Sequence, residues 1–150
     1  MNDRNEHFMQ LALKEAECAY KEDEIPVGAV LVKDNTVIAS AHNKKESTSD
    51  PTAHAELLVI REAAMKTVNW RLTDCTLYVT KEPCIMCAGA MVNARLNKLV
   101  FGCIDERYGA VMSRYQLTHD PFLNHQVTVE SGILKHKCEN LLKKFFELRR

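Results

Sequence analysis

Two short stretches about thirty residues apart limit what this chain can fold into: PTAHAELLVI at 51–60 and EPCIMCAGAM at 82–91. Each opens an apolar run with residues such runs normally exclude. His54 and Glu56 stand two apart at the mouth of the first; Cys84 and Cys87 stand three apart at the mouth of the second. Spacing of i and i+3 puts both thiols on one helical face. Pro83 suits a first helical position, which predicts both cysteines in an opening turn. Unpaired backbone N–H groups and the helix dipole there favour thiolates. Side chains two apart diverge along a helix flank, yet in the first turn they can converge near the axis. A fold that satisfies both stretches brings two helix N-termini to one point.

One imidazole and two thiolates at such a point suit zinc, and three protein ligands leave a fourth position for water. Glu56 is then the candidate proton acceptor beside that water. The residues also allow a closed structural zinc site, with His42, Cys75 or Cys103 as fourth ligand, although none of these has motif spacing. A redox dithiol is the third reading of C-x-x-C, but it gives His54 and Glu56 no role and lacks placement after an early strand.

The rest of the pattern reads as one domain over 1–150, without repeats or linker-like tracts. EHFMQLALKEAECAYKED sets Phe8, Leu11, Ala12, Glu15 and Ala19 near helical spacing. VGAVLVKDNTVIASAH predicts a hairpin turning at KDNT. HAELLVIREAAMKT reads as helix, CTLYVT as strand, PCIMCAGAMVNAR as helix and KLVFG as buried strand. A long irregular stretch follows, then QVTVES as a last strand and KCENLLKKFFELRR as a closing amphipathic helix. In that helix Leu141, Leu142, Phe145 and Leu148 have core-facing spacing. Strands alternating with helices after a hairpin predict an α/β fold, with a mixed, mainly parallel five-stranded sheet covered on both faces.

With 46% hydrophobic and 27% charged residues the chain reads as globular. No apolar run nears the roughly 18–20 residues a membrane span needs. The polar opening MNDRNEHFMQ is unlike a secretory signal, so the expectation is cytoplasmic, without a membrane partner. In that compartment six cysteines argue little for disulfides; Cys18, Cys75, Cys103 and Cys138 read as small buried hydrophobes. Net charge is zero, but residues 1–24 hold seven acids and three bases, and residues 133–150 six bases and two acids. A basic last segment can track phosphates or simply form a solvated helix face.

HAE followed by EPCIMCAGAM resembles the H-x-E…P-C-x-x-C signature of the zinc-dependent cytidine deaminase-like superfamily. PVGAV, AHN, DPTAHAE, WRL, TLYVTKEPCIMCAGAM, VFG, NH, GIL and LLKKFF extend the match. In that order, from about Leu11 onward, they resemble the bacterial tRNA-specific adenosine deaminases of the TadA type. The resemblance implies a three-layer α/β/α fold, one zinc ion per subunit on His54, Cys84 and Cys87, and a homodimer. It implies hydrolysis of adenosine to inosine at the wobble position of a tRNA anticodon, usually an arginine tRNA, with Glu56 as proton carrier and ammonia as the second product.

The same resemblance makes Asn43 a purine contact, and Asp105 and Arg107 contacts to the anticodon stem-loop. Arg107 stands where lysine is usual, which keeps the charge and changes its geometry. GAVMSRY departs from the small-residue pattern usual in this loop and brings in Met112, Arg114 and Tyr115. Tyr108 is expected either to stack on a base or to cover its own loop. In the last helix Phe146, Lys143, Lys144, Arg149 and Arg150 are the candidates for the tRNA path. Zinc chemistry alone does not choose the substrate, so a guanine, cytosine or nucleoside deaminase is the alternative enzyme, and a zinc-stabilised nucleic-acid-binding module the non-enzymatic one.

Overall fold

The computed structural model describes residues 2–149. Helix α1 (Asn2–Lys21) leads into strands β1 (Gly28–Lys33) and β2 (Thr36–His42) and a single turn, α2 (Lys45–Thr48). Helix α3 (Ala55–Thr67), strand β3 (Cys75–Lys81), helix α4 (Ile85–Asn93) and strand β4 (Lys98–Cys103) follow. After an irregular stretch come strand β5 (Thr128–Ser131) and helix α5 (Lys135–Glu147). The expected hairpin forms with Lys33 opposite Thr36. Asp34 and Asn35 at its tip have φ of 50° and 62°, the pair of positive values a two-residue turn needs to match strand twist.

The five strands lie in the order β2-β1-β3-β4-β5. The sheet is mixed as expected, but two of its four pairings are parallel rather than most: β1 pairs antiparallel with both β2 and β3, and only β3-β4 and β4-β5 run parallel. The hairpin joins through its first strand, which fixes that division.

Both faces are covered, giving three layers. Helices α1 and α5 lie on one side, where Phe8, Met9 and Leu13 meet Val30, Val32, Tyr78 and Val100. Helices α3 and α4 lie on the other, where Val59, Ile60 and Met91 meet Leu31, Leu77, Leu99 and Phe101. Successive residues of one strand therefore enter opposite cores, which is why these strands read as unbroken apolar runs. Leu31, Leu77, Leu99 and Phe101 are each completely buried. Burial of such side chains contributes roughly 1.5–3 kcal/mol apiece. At Gly28 a Cβ would lie 2.1 Å from the carbonyl oxygen of Ala12, so only glycine lets α1 come down onto β1 here.

Several expectations change. Pro83 precedes α4 instead of opening it, and Cys84 is the N-cap. Leu148 lies beyond the last helical turn and is 67% exposed. Cys18 is exposed, while Cys75, Cys103 and Cys138 are buried; all six cysteines are free thiols.

Candidate metal centre and its groove

The two helix starts do meet. His54 is the N-cap of α3 and Cys84 the N-cap of α4, which places Glu56 and Cys87 within the first turns. Nδ1 of His54 lies 3.6 Å from Sγ of Cys84 and 3.6 Å from Sγ of Cys87. The three donor atoms lie within 4.8 Å of one another, and among the described residues no other His, Cys or carboxylate joins them. A tetrahedral ion with bonds of about 2.0–2.1 Å to nitrogen and about 2.3 Å to sulfur separates those atoms by about 3.6 Å. The donor set therefore fits a metal ion.

The electrostatics agree. Cys84 is pulled down to about 3, first by the hydrogen bond from the Cys87 thiol and then, against the cost of burial, by that from His54. Cys87 is pushed up because its proton is held between the sulfurs and its site is buried. His54 is raised, mainly by its bond to Cys84. Glu56 is 4% exposed, and burial raises its carboxyl, with the nearby His54 charge acting the other way.

His42 cannot serve as a fourth ligand. It is buried, with Nδ1 2.7 Å from Glu15 and Nε2 3.1 Å from Glu22, so its ring ties the end of β2 to α1. Cys75 and Cys103 also lie outside the cluster. A structural site closed by one of these three is excluded.

A groove of about 1860 Å³ runs across the centre, lined by His54, Glu56 and Cys84 together with Asn43, Asp105, Arg107, Tyr108, Phe146 and Arg149. Asn43 is buried, and its amide is partly committed: the oxygen accepts the Ala55 N–H at 2.8 Å and the nitrogen donates to the Ile25 carbonyl at 3.1 Å. Asp105 pairs with Lys81 at 3.2 Å and accepts the backbone N–H groups of Arg107 and Tyr108, so its carboxylate orders its own loop. Arg107 is exposed, its guanidinium 5.8 Å from the Tyr108 ring. Tyr108 is 63% exposed along the groove and does not cover its loop.

Arg149 lies 3.7 Å over the Phe145 ring and is ion-paired with Asp23. Lys143 and Lys144 lie off the groove, Lys135 lines it, and Arg150 is outside the described residues. Among the groove residues that sequence reasoning passed over are Lys81 and Glu82. They directly precede Pro83-Cys84, Lys81 as the last residue of β3 and Glu82 just beyond it, and their signal was two charges closing a largely apolar run.

Comparison with known proteins agrees with this geometry. A model of the MafB19-like deaminase family matches residues 2–150. The tRNA-specific adenosine deaminase of Bacillus subtilis (strain 168) is 46% identical over 148 residues, covering 98% of this chain and 92% of that one. The tRNA-specific adenosine deaminase of Streptococcus pyogenes serotype M1 is 46% identical over 140 residues, covering 93% and 82%. Among solved structures, one from work on A-to-I editing by tRNA:A34 deaminases at the wobble position of transfer RNA matches with a TM-score of 0.88. That match is 44% identical and covers 91% of this chain and 99% of the other. On identity of this extent, with the His54, Cys84 and Cys87 donors converging as described, the chain belongs to the tRNA-specific adenosine deaminase family.

Proposed function

We propose that this chain is a zinc-dependent hydrolase that converts adenosine to inosine at the wobble position of a tRNA anticodon, an arginine tRNA in the first instance. We further propose that it works as a cytoplasmic homodimer. The observation that carries the catalytic part is the 3.6 Å convergence of His54 on both thiols, with buried Glu56 two residues away. No described helix is long and apolar enough to cross a membrane.

His54, Cys84 and Cys87 would hold a zinc ion, which would supply the Lewis acidity that brings the acidity of water near neutrality. Glu56 takes one proton from the attacking water and gives it to N1 of adenine, beside the C6 under attack. It then carries the remaining hydroxyl proton to the amine, which leaves as ammonia, and inosine remains. One carboxylate can do both if it reaches water and ring in turn. Its burial supports that role, because a raised carboxyl takes a proton from water more readily than an ordinary one does.

Substrate size supports a polymer. Pockets for small ligands enclose roughly 300–1,000 Å³, whereas this groove holds about 1860 Å³ and continues past the centre to Tyr108, Phe146 and Arg149. Asn43 retains hydrogen-bonding capacity beyond its two backbone partners for a purine edge. The test is to incubate the purified protein with transcribed tRNAs and read inosine at the first anticodon nucleotide, beside free adenosine, guanine and cytosine. Ammonia from a free base, with unedited tRNA, would transfer the assignment to a small-molecule deaminase.

A further inference from the structure

Glu82 is a carboxylate 1% exposed that takes no part in the chemistry above. Its Oε1 accepts the backbone N–H of Asp105 at 3.0 Å and the hydroxyl of Ser113 at 2.5 Å. Its Oε2 accepts the N–H groups of Val111, Met112 and Ser113 at 3.1, 2.7 and 2.9 Å. Five donors from one loop thus close on one side chain that sits two residues before Cys84. The next residue, Pro83, adds its carbonyl, which accepts the Ala110 N–H at 2.8 Å. At Gly109 a Cβ would lie 2.4 Å from the Glu82 carboxyl carbon, so the loop can wrap this closely only with glycine there.

The wrapped loop forms one wall of the groove and presents Arg107, Tyr108 and Tyr115 to it. Between Cys103 and Thr128 there is no helix or strand to hold that wall in place. An anion among converging backbone N–H groups supplies the missing order. The centre has anchors of its own, because His54 and Glu56 are carried by α3 and Cys87 by α4.

We propose that Glu82 is a positioning residue, which fixes the Asp105–Tyr115 wall against the Cys84 loop so that RNA beside the reacting base meets a preformed surface. This rests on the function proposed above. The wall holds substrate and leaves the metal ligands alone, so its loss raises KM and spares kcat.

The experiment compares wild type, Glu82→Gln and Ser113→Ala on an anticodon stem-loop RNA with adenosine at the first anticodon position. KM, kcat and zinc per chain are measured for each. The amide of Glu82→Gln points N–H groups at N–H groups and scatters the loop, so KM rises about tenfold or more. Ser113→Ala removes one of the five bonds, and KM rises by about threefold, near the cost of one hydrogen bond. In both, kcat stays within about threefold and zinc stays at one per chain. A loss carried by kcat or by zinc, or kinetics equal to wild type, overturns the inference. Should Glu82→Gln not fold, Ser113→Ala decides by the same criteria. Zinc-loaded wild type inert toward the RNA sinks the functional reading and this inference together; active wild type with unchanged variants sinks the inference alone.

Discussion

The side-chain oxygen of Asn43 accepts the backbone N–H of Ala55 at 2.8 Å, pinning the first residue of the helix whose opening turn carries Glu56 and whose N-cap is His54. Ala55 is wholly buried, so removal of that acceptor leaves an N–H without water or partner. Asn43→Ala should cost roughly 1–3 kcal/mol of stability and lower turnover by moving His54 and Glu56. Asn43→Asp, which keeps the acceptor, should recover part of both. Denaturant melts of the three proteins check it; equal midpoints for wild type and Asn43→Ala would show that the bond holds nothing.

Glu56→Ala and Glu56→Gln should keep one zinc per chain and bind the anticodon stem-loop with wild-type affinity. Ammonia release should drop by about 10²–10⁴, the range for loss of a general acid–base. Single-turnover assays with parallel binding titrations separate the two effects. Wild-type turnover by either variant would remove Glu56 from the mechanism.

Chelation should abolish inosine formation, and zinc should restore it. Cys84→Ser or Cys87→Ser should lower zinc content at purification well below one per chain, since hydroxyls are far poorer zinc ligands than thiolates. Metal analysis beside activity is the check. Full activity in metal-free protein contradicts the reading.

Glu82 and Asp105 ionise below the ordinary carboxyl values of 4.5 and 3.8. Burial opposes this in both. The Ser113 hydroxyl and backbone N–H groups overcome it at Glu82, and the Lys81 charge with the Tyr108 and Arg107 N–H groups does so at Asp105. A depressed carboxyl contributes its full stability above its unfolded value, and that contribution is lost as pH falls through its folded value. These two groups should therefore leave stability flat from neutrality to about pH 5 and lower it progressively in more acid solution. Asp105→Asn should make that acid decline shallower. Denaturant midpoints between pH 7 and pH 3 measure the slope; an Asp105→Asn curve parallel to wild type rules the account out.

Along the groove, Lys45, Arg107 and Lys135 have no carboxylate within ion-pair distance among the described residues, whereas Asp23 holds Arg149 and Asp105 holds Lys81. With about 0.7 counterions released per phosphate contact on single strands, three such cations give a log–log salt slope near −2 for RNA binding. Asp23→Ala should free Arg149 and steepen the slope by about 0.7. Titrations at several salt concentrations read it directly, and an unchanged slope would mean Arg149 does not meet the backbone.

The sequence made some of this legible and hid the rest for identifiable reasons. Strands β1, β3 and β4 were readable because both faces are apolar, and the α3 and α4 starts because metal-binding side chains interrupt apolar runs there. Pro83 lies two residues before the first helical position expected for it, because a proline before an N-cap and one after it look alike when the cap is a cysteine. Leu148 kept helical spacing past the point where the helix had stopped. Glu82 gave no sign of its role, since its partners lie 23 to 31 residues away in a stretch with no periodicity. Arg149 was marked by charge as an RNA contact, but charge alone could not reveal Asp23 beside it, 126 positions earlier.

Because His54 and Cys84 each sit where a helix begins, an ion held between them would tie the first turns of α3 and α4 to one point. Loss of that ion should therefore loosen both helix starts together. Amide exchange in metal-depleted protein should accelerate first at Glu56–Leu57 and Met86–Cys87, while the buried strands between them stay slow.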